Sequence, residues 1–194
     1  MSSFPCQPTP SRFSPRRGVL AALAVGACLA VLAVTTTGAA QATEGSGAPL
    51  PSLLTHYEAI RQQLLGDSLD GVADHVAAIR RDFDRLEATF DAETAEVEPE
   101  RVYSARKLLP EIGAAVAKLE SARGLEPTRD AFYELSKVLI RYRYLSTGEW
   151  PAVAYCPMAK RSWLQPQGEI GNPYYGPSMP KCGSLIEDRQ TSQF

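Results

Sequence analysis

The sequence predicts an all-α fold, an antiparallel four-helix bundle with an irregular, aromatic and proline-rich C-terminal tail packed on it. Two observations carry that expectation. Apolar residues recur at three- and four-residue steps through four separate segments, the period of an amphipathic helix. After Ser146 the period stops, and the composition turns to six prolines, five glycines and both tryptophans.

The first 42 residues precede that domain. They hold Arg12, Arg16 and Arg17 but no acid, then an apolar run from Gly18 to Val34 and a small-residue end at Ala40-Gln41-Ala42. That order is the order of a signal peptide. The run falls short of the ~20 residues a helix needs to cross a bilayer, so cleavage after Ala42 is expected rather than retention as an anchor. Arg16-Arg17 fits a twin-arginine signal in part, against Pro15 and Gly18. Val25-Gly26-Ala27-Cys28 loosely resembles a lipoprotein box, but the apolar run continues past Cys28. The expected product is a periplasmic or otherwise exported chain with no membrane span. Without the leader's three arginines, 17 of the 20 basic residues face all 22 acids, a formal charge of 17 − 22 = −5. Nucleic acid is a poor partner for such a surface.

Residues 43–146 form the expected bundle. The first helix runs from about Leu50 to Leu65, with Leu53, Tyr57, Ile60 and Leu64 on one stripe. Gly66 is expected to end it in the left-handed conformation, and Asp67 or Ser68 to cap the next. The second, from about Ser68 to Phe90, carries Val72, Val76, Ile79, Phe83, Leu86 and Phe90. A third, roughly Pro99 to Arg123, aligns Val102, Ala105, Leu109, Ile112, Val116 and Leu119. Pro110 interrupts it, and the lost N–H predicts a kink there or, in its place, a helix boundary. Gly124 and Pro127 mark a stop and a restart before the last helix, which runs to Leu145 through Phe132, Leu135, Val138 and Tyr142. Eight carboxylates between Asp82 and Glu100 read as a solvated turn, because they lack a calcium-loop spacing with a central glycine.

The tail, residues 147–194, belongs to the same domain. Trp150, Tyr155, Trp163, Tyr174 and Tyr175 favour an ordered tail packed on the helices. It also holds the mature chain's only cysteines, Cys156 and Cys182, with Met158 and Met179 beside them; Cys6 and Cys28 leave with the leader. Thiolates and thioethers are soft donors that suit Cu(I) or Ag(I). Cys156 and Met158 share one face of an extended chain, whereas Met179 and Cys182 meet on a turn. The competing chemistry is a Cys156–Cys182 disulfide, which would stabilise an exported protein by roughly 3–4 kcal/mol. Residue chemistry alone ranks the disulfide ahead, and a thiol consumed in it cannot ligate as thiolate.

The stretch CPMAKRSWLQPQGEIGNPYYGPSMPKCG resembles the signature of an exported domain-of-unknown-function family. That family is related to the C-terminal extension of periplasmic heavy-metal (copper/silver) efflux adaptors. The residues that carry the likeness are Cys156, Pro157, Met158, Ala159, Trp163, Leu164, Glu169, Ile170, Asn172, Pro173, Tyr174, Tyr175, Gly176, Met179, Cys182 and Gly183. It extends upstream through Arg129, Phe132, Leu135 and Ser136, and more faintly to Tyr57 and Leu64. The resemblance implies a helical bundle with the motif at its C-terminal end and an association with copper or silver handling. The chain has no room for an adaptor's barrel and lipoyl-like domains, and its stretch from Ala159 to Trp163 is shorter than in many members.

Three weaker signals have plainer readings. His56 and His75 lie nearly equidistant from the Gly66 turn and could reach the same level, but paired surface histidines are common. Ser104-Ala105-Arg106-Lys107 matches a penicillin-recognising pattern without its companions. Asn172-Pro173-Tyr174-Tyr175-Gly176 sets a turn whose tyrosines pack, with a partner-binding surface as the other reading. The expectation is therefore a non-enzymatic, exported accessory protein with Cys156, Met158, Met179 and Cys182 as ligands of Cu(I) or Ag(I), partnered by a heavy-metal efflux system or another envelope protein. The alternative is a disulfide-stapled interaction module of the cell envelope with no metal.

Overall fold

A computed structural model describes residues 48–187. The expected leader, residues 1–42 with Cys6 and Cys28, lies outside the described residues.

Helix α1 spans Pro49–Leu65 and starts with proline in its first turn, where a missing N–H costs nothing. Its stripe of Leu50, Leu53, Tyr57, Ile60 and Leu64 is buried. Gly66 caps it, but at φ −93; the left-handed residue is Asp67 at φ 55, a conformation that aspartate tolerates better than most side chains. Helix α2, Val72–Ala88, is capped at Gly71 with φ 71, not at Asp67 or Ser68. Ser68 instead receives the Asp70 amide on its hydroxyl at 3.0 Å.

The expected third helix is broken. A 3-10 turn at Pro99–Arg101 leads into α3, Val102–Arg106, and α4 follows over Leu109–Ser121. The boundary reading is therefore the one observed, with the break just upstream of Pro110. That placement puts the proline in the first turn of α4, where it has no hydrogen bond to remove. Helix α5 spans Leu125–Arg143 behind Gly124 at φ 88. Among the described residues no helix is long and apolar enough to cross a membrane.

The all-α expectation fails in the tail. It folds into a three-stranded antiparallel sheet of order β2-β1-β3, with β1 at Ala152–Cys156, β2 at Arg161–Gln165 and β3 at Ser184–Leu185. The fold is mixed α and β. The cause is legible in the residues: Val153, Tyr155 and Trp163 favour strands. The Pro157–Lys160 turn between β1 and β2 has hairpin length, with Lys160 at φ 54. The Cα register pairs Val153 with Leu164 and Ala154 with Trp163 across the hairpin.

Helix α1 packs on α2, α2 on α4 and α4 on α5, and β2 lies across α5 and α1. One core runs through both layers, taking Leu53, Ile60 and Phe132 from the helices and Trp163, Leu164 and Tyr174 from the tail. The tail is thus an integral layer of the domain rather than an irregular appendage.

Candidate soft-donor site

Cys156 closes β1, and Cys182 lies two residues before β3. Because Tyr155 pairs with Ser184 across those antiparallel strands, the two cysteines become cross-strand neighbours. Gly183 permits the approach: its φ is +131, and a Cβ there would stand 2.8 Å from the Tyr155 carbonyl oxygen. Two sulfurs 26 positions apart consequently face each other at 2.9 Å. Both are free thiols, Cys156 buried and Cys182 half-buried.

Asn172 holds this arrangement in place. Its buried amide donates to the Cys182 carbonyl at 2.8 Å and helps hold the Cys156 thiol below its ordinary value. Its Oδ1 accepts the Tyr174 N–H at 2.8 Å, and its own backbone N–H donates to the Pro180 carbonyl at 2.8 Å.

Burial works against a charged Cys156 sulfur. The Cys182 thiol, the Ala159 and Met158 amides and the Asn172 side chain oppose it and together hold the Cys156 thiol below its ordinary value. Cys182 moves upward, first because its hydrogen bond to Cys156 retains the proton, then through burial and the neighbouring negative charge. As pH rises, Cys156 therefore loses its proton before Cys182.

The methionines meet this pair through their backbones. The Met158 amide helps lower the pKa of both thiols, while its side chain is 65 % exposed. Met179 is half-buried, and its carbonyl accepts the Cys182 N–H at 3.2 Å. The cysteines are brought together; for the thioethers, proximity rests on sequence and backbone. Among the described residues no group of three or more His, Cys, Asp or Glu side chains could hold a metal ion.

Helix residues lock the layer that carries the site. Tyr57 in α1 stacks on Phe132 in α5 with ring centroids 4.5 Å apart, and its hydroxyl bonds Ser136 at 2.6 Å while accepting the Leu164 N–H at 3.1 Å. Buried Arg61 donates to the Gly171 carbonyl at 2.6 Å. Arg129, also buried, donates to the Pro173 carbonyl at 2.8 Å and the Leu64 carbonyl at 3.0 Å, and is ion-paired to Asp67. On the tail side, the Tyr174 hydroxyl donates to the Ser162 carbonyl at 2.9 Å and the Trp163 indole to Gln165 at 2.9 Å.

Of the weaker signals, Tyr174 packs into the core as a turn residue would. Ser104 and Lys107 are exposed around the short α3. His56 and His75 do meet, Nδ1 to Nδ1 at 3.1 Å. The functional residues that sequence reasoning missed are Asn172 and Gly183. Both stood inside the motif, but their roles depend on strand pairing, and Asn172-Pro173 alone reads as a turn. Compared with protein-family models, curated proteins and solved structures, the chain matches none of them.

Proposed function

We propose that this chain is an exported, non-enzymatic accessory protein of soft-metal handling, taking Cu(I) or Ag(I) as cargo at Cys156 and Cys182. The observation that supports this reading is the assembled dithiol, two sulfurs 2.9 Å apart, with the Cys156 thiol held below its ordinary value against burial by Cys182, two backbone amides and Asn172. Thiolate is the ligating form, and sulfur donors select Cu(I). Met158 and Met179 are the further thioether donors within the same turns. A heavy-metal efflux system or another envelope protein would be the partner that delivers or collects the ion.

The same geometry supports a second reading. The 2.9 Å separation exceeds a disulfide bond of about 2.05 Å by roughly as much as it falls short of the ~3.8 Å between two thiolates on a tetrahedral ion at ~2.3 Å. Closing the pair instead would give a stapled interaction module without metal.

The test is a Cu(I) titration of the reduced full chain against a competing chelator, together with thiol mapping by alkylation and intact mass. The expected result is one ion held tightly enough to compete with the chelator, lost in Cys156→Ser/Cys182→Ser and weakened in Met158→Ala/Met179→Ala. Unchanged affinity in the methionine variant removes the thioethers from the site. An oxidised pair that resists mild reductant, in a chain that takes no Cu(I) when fully reduced, replaces the metal reading with the staple.

A further inference from the structure

We propose a second soft-ion site, independent of the dithiol, at His56 of α1 and His75 of α2, in which the two Nδ1 atoms clasp one Cu(I) or Ag(I). The nitrogens stand 3.1 Å apart, and the ring centroids 5.4 Å. That centroid separation leaves both Nδ1 atoms on the line joining the rings, with their in-plane lone-pair directions aimed at each other. One proton now occupies that line, donated by one ring and accepted by the other.

The alignment selects the ion. A two-coordinate monovalent d10 ion takes its donors in line, and replacing the proton this way only requires the rings to part by about 1 Å, to twice the ~2.05 Å of a metal–imidazole bond. A tetrahedral ion at that bond length across the present 3.1 Å gap would see an angle of roughly 98°, with both lone pairs pointing past it. Both rings are half-exposed, so side-chain torsion can supply the opening without moving the α1–α2 core. The displaced Nδ1 proton passes through water to the Nε2 of the same ring, and none is released overall.

The surroundings favour an unprotonated ligand. Burial lowers the His56 pKa below its ordinary value against the opposing pull of Asp82, with smaller downward contributions from His75 and Arg81. Asp82 is buried, and its Oδ2 has no hydrogen-bond partner among the described residues. Its Oδ1 is ion-paired to Arg85, so the positive charge an ion would bring is left mainly to solvent at the half-exposed rings.

Ag(I), which is redox-inert here, is the probe. Bound Ag(I) would be counted after gel filtration for the reduced full chain, for Cys156→Ser/Cys182→Ser, for His56→Gln/His75→Gln, and for the four substitutions combined, with circular dichroism reporting folding. Expected occupancies are two, one, one and none. Should the cysteine variant misfold, the wild-type chain with its thiols oxidised to the disulfide takes its place and holds one ion, with histidine 15N shifts at Nδ1. No ion on the cysteine variant, or one that survives the added histidine substitutions, overturns the site. An ion on the cysteine variant but none on the histidine variant leaves this site standing and removes the dithiol reading instead.

Discussion

Replacing Asn172 with alanine tests whether one buried amide both builds the tail and tunes the thiol. The substitution removes the acceptor for the Tyr174 N–H and the donor to the Cys182 carbonyl, each bonded at 2.8 Å. It also removes the side-chain donor that helps hold the Cys156 thiol low. A buried polar group left unsatisfied costs about 1–3 kcal/mol, and two such groups that partly relax give an expected loss of about 2–4 kcal/mol. At about 2–4 °C per kcal/mol for a chain of this size, the melting point should fall by roughly 5–15 °C. Urea unfolding of the reduced chain measures the stability, and thiolate ultraviolet absorbance against pH measures the titration. The wild-type pair should titrate in two steps on either side of the ordinary thiol value of about 8.5, and in Asn172→Ala the lower step should rise. The linkage has a definite sign: a folded value below the unfolded one adds stability above about pH 8.5 that fades as pH falls through the folded value. A stability loss below about 1 kcal/mol with an unmoved titration would refute the role assigned to Asn172.

Two further outcomes follow from the same geometry. Gly183→Ala would place a Cβ 2.8 Å from the Tyr155 carbonyl oxygen at a φ of +131; the strain, about 1–3 kcal/mol, should part β3 from β1, slow intramolecular disulfide formation and lower Cu(I) affinity at least tenfold, whereas wild-type rates of closure would show that Gly183 does not set the sulfur pair. Glu96, at positive φ beside Gly148, has its carboxyl pushed up by burial. A raised folded value contributes stability below the unfolded value of about 4.3 that is lost as pH rises through the folded one. Glu96→Gln should therefore raise the urea midpoint at pH 7, with the gain vanishing below about pH 4; an equal shift at both pH values would assign the effect to packing instead.

The helices were legible because their signal is local. The stripe from Leu53 to Leu64 and the one from Val76 to Leu86 are buried in the structure as their period predicts. Pro110 marked the break in the third segment, though a proline in a first turn places that break upstream of itself. The sheet was hidden by its shortness: Ala152–Cys156 and Arg161–Gln165 are five residues each, too few for a two-residue period to stand out from a proline- and glycine-rich background.

The residues by themselves determined the soft character of the donors, the amphipathic helices and the aromatic payload of the tail, since each is a property of side chains or of spacings within a few turns. Only the tertiary structure decided that Cys156 and Cys182 face each other, that Asn172 bonds the Cys182 carbonyl, and that His56 meets His75. Those are meetings between residues 10 to 26 positions apart. They are set by strand register, by the close approach Gly183 allows, and by the side-by-side packing of α1 on α2. Each depends on burying two surfaces at once, which no single stretch of sequence encodes.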